Sequence, residues 1–312
     1  MISIIMPTLN EEQSLPRLLD VLRGEKADHE VIVVDGGSED RTAEIARARG
    51  VRVVLAPPGR GNQLCVGGQV SRGDILFFLH ADSTLPVGAL TAIEEVLASN
   101  ARVIGGNFRL VFDGNTGFSR WLTGFYARIR WFGLYYGDSG IFVRRGAYEA
   151  VGGFRPIPLM EDLDFVRRLE RFGKTCRIDQ PPLVTSSRRF LGRHPVEIVY
   201  GWVKLHVLFW LGVSPSRLAE IYRTHTPRGS RSDARNAVER RMPNRPHAKL
   251  PEAYARALAP GRWPRCDSLP KDELAASGEP IEPEEVSWSS TPVSPRSEEA
   301  ESATRPPSDR PR

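Results

Sequence analysis

The sequence predicts an α/β fold in which a mostly parallel, Rossmann-like sheet is covered by helices on both faces. Two observations favour this class. Short, almost wholly apolar segments alternate with amphipathic segments of helical period through residues 1–100, and such alternation is typical of βαβ units. The apolar segments also lack the polar residues of a half-solvated strand, so we expect both faces of the sheet to be buried.

Residues 1–100 divide into four strand–helix units. The first strand is the apolar run Ile2–Thr8, and the helix that follows carries leucines at helical spacing and stops at Gly24. The remaining predicted strands are 31–34, 51–57 and 74–82. The remaining predicted helices are 42–50, a segment that begins as a loop near residue 59, and 87–99.

The pattern changes after residue 100, where the segments become longer and richer in aromatic residues. The helix predicted at 158–173 begins with acids and ends with arginines, as the helix dipole prefers. The predicted elements of this half, in order, are a strand at 103–112, a helical segment at 118–136, a strand and helix at 137–154, the helix at 158–173, one or two strands at 174–190, and an amphipathic or buried helix at 196–213.

Composition divides the chain near residue 225. Residues 225–312 contain 14 of the 25 prolines, only three aromatic residues and nearly balanced charges. Such a segment buries too little apolar surface to offset the entropy of ordering the chain. We therefore predict a folded domain over residues 1–224 and a Pro- and charge-rich, mostly disordered tail over residues 225–312.

Charge and cysteine content exclude several classes of protein. The formal net charge of +5 suits a phosphate-bearing ligand and is equally ordinary for a soluble enzyme, and no Lys/Arg-rich recognition helix predicts nucleic-acid binding. Three scattered cysteines lack zinc spacing and favour isolated thiols in a reducing compartment. Because no signal peptide or membrane span is predicted, we expect a cytoplasmic protein. Residues 196–213 allow peripheral contact with the inner face of the membrane.

Polar residues follow each strand of the first half. Right-handed crossovers bring the carboxyl ends of parallel strands to one edge of the sheet, where open α/β sheets bind their ligands. We therefore expect these residues to share one crevice, although they are far apart in the chain. They are Asn10, Glu11, Glu12, Asp35, Arg60, His80 and Asp82.

Five short motifs, in order along roughly residues 1–190, resemble the family 2 glycosyltransferases of GT-A fold. They are SIIMPTLNEE, VIVVDGGSEDRT, ILFFLHADS, GGF at 152–154 and MEDLDF at 160–165. More narrowly, GRGNQ, LHADS and WLGVSPSRLAEIY resemble a bacterial subgroup of arsenosugar-biosynthesis or carotenoid-type glycosyltransferases. The resemblance implies a nucleotide-binding half (1–100) and an acceptor half with a C-terminal helix (101–224).

The resemblance also implies roles for residues that would bind the nucleotide-sugar donor. Asp35 would hydrogen-bond the base of the nucleotide, with Thr8, Asn10 and Glu11 lining the same pocket. From the residues alone, Asp35 can equally cap the following turn. Arg60 lies in a segment of glycines and prolines that would border the donor, where a guanidinium can pair with a diphosphate in a forked geometry; the alternative is a solvent-facing loop arginine.

Asp82 matches the second acid of the Asp-x-Asp motif of this family. The resemblance implies that it binds a divalent metal, Mg²⁺ or Mn²⁺, which offsets the charge of the leaving diphosphate. His80 stands where the first acid is expected. A neutral imidazole can hydrogen-bond a ribose hydroxyl or favour Mn²⁺ over Mg²⁺, and it can also be a strand-end residue satisfied by the backbone.

Glu161 and Asp162 open the helix predicted at 158–173. The resemblance implies that Asp162 is the general base of an inverting transfer and that Glu161 orients the acceptor or a loop. Both acids also suit a helix N-terminus for structural reasons alone. Asp138 and Ser139, which lie between glycines, are candidates for an acceptor or donor-sugar loop. Asp164 is expected to point elsewhere because of the helical period.

The predicted function is therefore transfer of a sugar, of the hexosyltransferase type, from a nucleotide-diphosphate sugar to an unidentified hydroxyl acceptor. Three alternatives stay open. A nucleotidyltransferase of related fold would carry a Gly-rich phosphate loop, and PTLNEEQS stands in its place. A noncatalytic nucleotide-sugar-binding protein would use Asp35 and Asp82 without chemistry at Asp162. The third alternative, a membrane-associated lipid or terpenoid glycosyltransferase, is a subtype of the predicted function. The aromatic and basic segment 121–136 would suit an acceptor site or a membrane interface, and it can equally be part of the apolar core.

Overall fold

The computed structural model describes residues 1–114, 116–185 and 194–225, without the side chains of residues 223–225. The strands are β1 (Ile2–Thr8), β2 (His29–Asp35), β3 (Arg52–Leu55), β4 (Ile75–Phe78), β5 (Ser83–Thr84), β6 (Val103–Phe112), β7 (Ile141–Arg144) and β8 (Lys174–Thr185). The helices are α1 (Leu15–Arg23), α2 (Thr42–Ala48), α3 (Arg60–Val70), α4 (Ala89–Ser99), α5 (Gly117–Ile129), α6 (Arg145–Ala150), α7 (Glu161–Phe172), α8 (Pro195–Trp210) and α9 (Pro215–His225).

The strands form one mixed sheet in the order β3-β2-β1-β4-β7-β6-β8-β5. Strands β1 to β4 form a parallel part of the sheet, because β1 pairs in parallel with β2 and β4, and β2 pairs in parallel with β3. On the other side β6 and β8 are parallel, whereas β7 runs antiparallel between β4 and β6 and β5 runs antiparallel to β8. The predicted α/β class is confirmed, with antiparallel strands that periodicity did not predict.

Helices cover both faces of the sheet. One apolar core joins the sheet to α1, α2 and α4, with Leu18, Ala46 and Ile93 fully or almost fully buried. The other core joins the opposite face to α3, α6 and α7, with Val66 and Phe165 fully buried. Because the central strands are buried on both sides, their apolar runs are continuous rather than alternating.

Two predicted boundaries are corrected by the structure. β4 ends at Phe78 rather than at residue 82, so His80 and Asp82 lie in the turn after the strand, where the Ser83 N–H donates to the His80 carbonyl (3.1 Å). Arg60 is the first residue of α3 rather than a loop residue. The chain turns sharply into α3 at Gly59, whose φ of 120° is a conformation that side chains rarely allow.

The predictions about membrane spans, cysteines and the C-terminal tail are compared with the structure in turn. Within the described residues, no helix combines the length and apolarity needed to cross a membrane. Among the described residues, Cys176 is a free thiol, and the compartment stays a prediction. The tail from residue 226 onward lies outside the described residues; its predicted disorder and the domain boundaries stay predictions.

Gly67, in the middle of α3, packs directly on the central strands. A Cβ added there would lie 2.3 Å from Cγ2 of Ile5 and 3.0 Å from Cγ2 of Val34, and β-branched side chains have little freedom to move away. We expect Gly67→Ala to lower the free energy of unfolding by about 1–3 kcal/mol, the usual cost of overpacking. Chemical denaturation, read by circular dichroism, measures this change.

Gly146 is the matched control, because it is also a helical glycine and its added Cβ would meet nothing within 4 Å. Gly146→Ala should be neutral or stabilising by about 0.5–1 kcal/mol, since alanine is the better helix former. Equal stabilities for the two variants would contradict the close packing of α3 on the sheet.

Candidate functional site

The acids Glu161 and Asp162 lie in the first turn of α7, and both are buried. Met160, immediately before them, has a left-handed backbone with φ of 64°, which non-glycine residues rarely adopt. The buried Met160 side chain packs in a cluster with Leu163 and Leu205, which holds this conformation in place. Strained residues fixed by packing are frequent at functional sites.

An ion pair joins α3 to α7. Nε of Arg60 donates to Oε1 of Glu161, and Nη2 of Arg60 is 4.0 Å from Oδ2 of Asp162. Burial raises the pKa of Glu161, and Arg60 opposes that increase. Burial alone would lower the pKa of Arg60, but the two carboxylates outweigh it and raise the pKa. The Arg60 side chain keeps 41% of its surface exposed, so a second anion can reach it.

Backbone N–H groups fix the carboxylate of Asp162. The Gly137 N–H donates to Oδ2 (3.1 Å), and the Leu163 N–H donates to Oδ1 (2.8 Å). Gly137 begins a short 3₁₀ turn, Gly137–Ser139, whose last residue is held by Asn107 of β6 through a bond from Nδ2 to the Ser139 hydroxyl (3.1 Å). The orientation of Asp162 therefore depends on a turn supplied by a different part of the sheet.

His80 lies against the same turn. A Cβ added to Gly137 would be 2.8 Å from Nε2 of His80 and 3.7 Å from Oδ2 of Asp162, so glycine alone leaves room for both groups. Burial and, after it, the positive charge of Arg60 lower the pKa of His80, while Asp82 and other nearby acids oppose this change. A neutral imidazole keeps a lone pair for a hydrogen bond or a metal.

Asp35 lies in a second cluster, at the end of β2. Its Oδ2 accepts hydrogen bonds from the backbone N–H groups of Gly37 (3.1 Å) and Ser38 (3.0 Å), and its Oδ1 accepts one from the Thr8 hydroxyl (3.4 Å). The carboxylate is almost fully buried. The structure thus shows the turn-capping alternative, and the contact of Asp35 with a nucleotide base stays a prediction.

Asn10 and Glu11 adjoin this cluster through their backbones. The Asn10 N–H donates to the Ser38 hydroxyl (3.0 Å), and the Glu11 N–H donates to the Thr42 hydroxyl (2.8 Å). Asn10 also has a left-handed backbone, with φ of 56°. Thr8, Asn10, Glu11 and Asp35 are therefore neighbours, and one crevice shared by all the strand-end residues stays a prediction.

Gln63 connects the two clusters, and it was not among the predicted site residues. From α3, its Nε2 donates to the carbonyls of Thr8 (2.7 Å) and Val34 (2.8 Å), and the side chain is buried. The helix that begins with Arg60 is thereby tied to the ends of β1 and β2. The only available signal was its place in the GRGNQ motif.

Asp82 is exposed and borders a cavity of about 330 Å³ that Ser14, Arg17 and Ser83 also line. This cavity adjoins α1, whereas Glu161 and Asp162 belong to the helix on the opposite face of the sheet. In the described part of the chain, no group of three or more His, Cys, Asp or Glu side chains could hold a metal ion. The metal role of Asp82 stays a prediction.

Side chains from α5 and α8 also reach the 3₁₀ turn. The Tyr126 hydroxyl donates to Oδ2 of Asp138 (3.5 Å). Nδ1 of His206 lies 2.7 Å from the Trp202 carbonyl, which can only accept, so Nδ1 is the donor in that bond, and Nε2 is hydrogen-bonded to the Tyr136 hydroxyl (2.8 Å). Neither Tyr126 nor His206 was predicted, because these contacts join segments far apart in the chain.

Asp164 lies on a different side of α7 from Asp162. Its carboxylate accepts hydrogen bonds from Arg155 (3.1 Å) and Arg168 (2.7 Å). This agrees with the expectation from helical period. Asp164 thus takes part in ion pairs on α7, whereas Asp162, two residues earlier, faces the 3₁₀ turn.

The chain is similar to known glycosyltransferases. Residues 3–154 match the family described as glycosyl transferase family 2. An uncharacterized glycosyltransferase of Mycobacterium bovis is 32% identical over 111 residues, which are 35% of this chain and 50% of that protein. The 4,4'-diaponeurosporenoate glycosyltransferase of Staphylococcus haemolyticus is 38% identical over 109 residues, 32% of this chain and 28% of that protein. The chain thus spans half or less of these relatives, and the arsenosugar subgroup stays a prediction.

A solved mannosyltransferase from Pyrobaculum calidifontis, in complex with GDP-Man and Mn²⁺, has a TM-score of 0.51 at 20% identity, over 65% of this chain and 61% of that one. This likeness concerns the fold alone, and the predicted GT-A fold is confirmed. The family match ends at Phe154, before Glu161 and Asp162, and contains the first four of the five motifs. Residues 3–154, just under half of the chain, match glycosyl transferase family 2.

Proposed function

We propose that this protein transfers a sugar from a nucleotide-diphosphate sugar to a hydroxyl acceptor with inversion, and that Asp162 is the general base. The observation that carries the proposal is the buried pair of carboxylates at the start of α7, held beside Arg60. The match of residues 3–154 to glycosyl transferase family 2 supports the class of reaction. Glu161 and Asp162 lie beyond the residues that match the family, so the catalytic role of Asp162 is proposed from its geometry.

Asp162 has the properties of a positioned base. Two backbone N–H groups orient its carboxylate, and each oxygen of a carboxylate can accept a further hydrogen bond. It would take the proton of the acceptor hydroxyl as the oxygen attacks the anomeric carbon opposite the leaving diphosphate. Such a group typically accelerates the step by about 10²–10⁴. Glu161, paired with Arg60, is a positioning residue rather than a second base.

The donor would extend between the two clusters. The exposed part of Arg60 suits a diphosphate, which a guanidinium binds in a forked geometry. Asp35, with Thr8, Asn10 and Glu11, would border the nucleoside. Asp138 and Ser139 lie in the turn that donates to Asp162, so they would border the sugar or the acceptor.

Asp82 would hold a divalent metal together with the phosphates of the donor. One carboxylate and phosphate oxygens are the usual protein and substrate ligands of Mg²⁺, and a nearby neutral imidazole, His80, favours Mn²⁺. The absence of a larger acidic group among the described residues fits a metal that arrives with the donor. When bound, it supplies positive charge to the leaving diphosphate.

The alternatives differ in what supports them. A nucleotidyltransferase of related fold would carry a Gly-rich phosphate loop after β1, and PTLNEEQS follows β1 in this chain, so nucleotidyl transfer is disfavoured. A noncatalytic nucleotide-sugar-binding protein would keep the same donor contacts. The lipid or terpenoid subtype gains support from the diaponeurosporenoate glycosyltransferase relative.

Asp162→Asn tests the proposed base. The amide keeps the shape of the side chain but cannot take a proton, so we expect kcat to fall by about 10²–10⁴. Affinity for the donor, measured by calorimetry after thermal-shift screening of nucleotide sugars, should stay within about twofold, because the proposed donor contacts are made elsewhere.

Asp164→Asn is the matched control on the same helix, since Asp164 pairs with Arg155 and Arg168 and takes no part in the proposed chemistry. It should retain turnover. Full turnover by the Asp162→Asn protein would exclude Asp162 as the base and leave the binding-protein alternative or another base.

Removal of metal tests the role of Asp82. EDTA should abolish turnover, and Mn²⁺ should restore it. Mn²⁺ should also tighten the binding of UDP or GDP by about tenfold or more, the worth of one charge-assisted contact. In Asp82→Asn this metal-dependent gain should disappear. Asp179→Asn, at an exposed acid paired with Arg177, should keep the gain; equal gains in both variants would refute the assignment.

A further inference from the structure

Exposed apolar side chains are concentrated in one part of the molecule. Among the described residues, eleven of the fourteen large hydrophobic residues with exposed side chains lie between residues 117 and 225. Trp131 and Phe132, in the 3₁₀ turn that follows α5, are each 81% exposed. Scattered exposed apolar residues are ordinary, but a concentration of this kind marks an interaction surface.

The largest share of this surface is one face of α8. Its exposed apolar residues follow one another at intervals of four and three, with Leu211 just beyond the helix, and form what we term the outer face: Val196, Tyr200, Val203, Val207, Trp210 and Leu211. Such intervals place them along a single stripe of the helix. The opposite side of α8 is also apolar, and its residues Ile198 and Leu205 are buried against the domain.

We propose that the outer face of α8 docks on an anionic lipid membrane. The charges beside it are complementary to acidic headgroups. The guanidinium of Arg167 lies 5.9 Å from the ring centre of Trp210, and Arg171, one turn further along α7, is exposed. Apolar residues with tryptophan on one side and arginines at the border are the pattern of helices that lie in a membrane interface.

A second copy of the chain fits this face less well. A helix of 16 residues is about 24 Å long and about 10 Å wide, so its stripe offers roughly 240 Å² to a partner. Stable protein interfaces bury about 800 Å² on each side. A membrane sets no such minimum, because each apolar side chain and each arginine adds to the affinity independently.

The docked face is close to the candidate site. On the inner side of α8, Nε2 of His206 is hydrogen-bonded to the Tyr136 hydroxyl, and Gly137, the next residue along the chain, donates to Asp162. Between a membrane under α8 and the proposed base would therefore lie α8 and the Tyr136 side chain. If the proposed function holds, on which this extension alone rests, the acceptor is a hydroxyl-bearing amphiphile held in that membrane.

Co-sedimentation of the full chain with vesicles tests the docking without reference to activity. We expect binding to vesicles of phosphatidylcholine with phosphatidylglycerol and much weaker binding to phosphatidylcholine alone. Val203→Asp and Val207→Asp should each lower the partition coefficient by about tenfold or more, the worth of one buried valine. Arg171→Gln should weaken binding to the anionic vesicles only. Circular dichroism confirms that each variant is folded.

The controls are substitutions of the same kind far from α8. Val87→Asp, at a valine that is 84% exposed before α4, and Arg47→Gln, at an exposed arginine of α2, should bind vesicles as the unaltered chain does. The proposal is overturned if the unaltered chain stays in the supernatant, as it would if its own C-terminal residues cover α8. It is also overturned if Val203→Asp changes the sedimentation velocity of the free protein but not its vesicle binding, which would indicate a second copy.

Discussion

The ion pair between Arg60 and Glu161 is the interaction on which the candidate site depends. It joins residues 101 positions apart, from the helices α3 and α7 that pack on the same face of the sheet. A carboxylate as buried as that of Glu161 is stable in charged form only beside an opposite charge, and removing one partner of such a pair leaves the other uncompensated. The start of α7, and with it Asp162, is thus fixed by the first residue of α3.

The fold could be predicted in class and in its first half because the strands there contain apolar runs and α1 carries leucines at helical spacing. The antiparallel direction of β7 could not be predicted. Its first three residues are apolar, as are all four residues of β4, and strand direction depends on pairing partners rather than on local composition. The end of β4 was misplaced because nothing in LHAD marks the residue at which hydrogen bonding to β1 stops.

Residues of the candidate site could be selected from the sequence only where a polar residue of a suitable type follows a predicted strand or begins a predicted helix. Resemblance to known motifs selected Asp35, Arg60, Asp82 and Asp162, and the structure places these at the ends of their strands and helices. The contacts that orient them are made by Gln63 and other residues of ordinary type, whose roles depend on distances across the fold. For Asp35 the sequence left two roles open, and local hydrogen bonds show that one of them, turn capping, is present.

Gly137 has a consequence for engineering this scaffold. A Cβ at this position would lie 2.8 Å from Nε2 of His80, so the imidazole would have to move, whereas Oδ2 of Asp162, at 3.7 Å, is at ordinary contact distance. A library that diversifies the turn at residues 137–139 to change the substrate would therefore displace His80 at its first position. At its second position the side chain of Asp138 is buried and accepts from the Tyr126 hydroxyl, so only residues of similar size and polarity fit there.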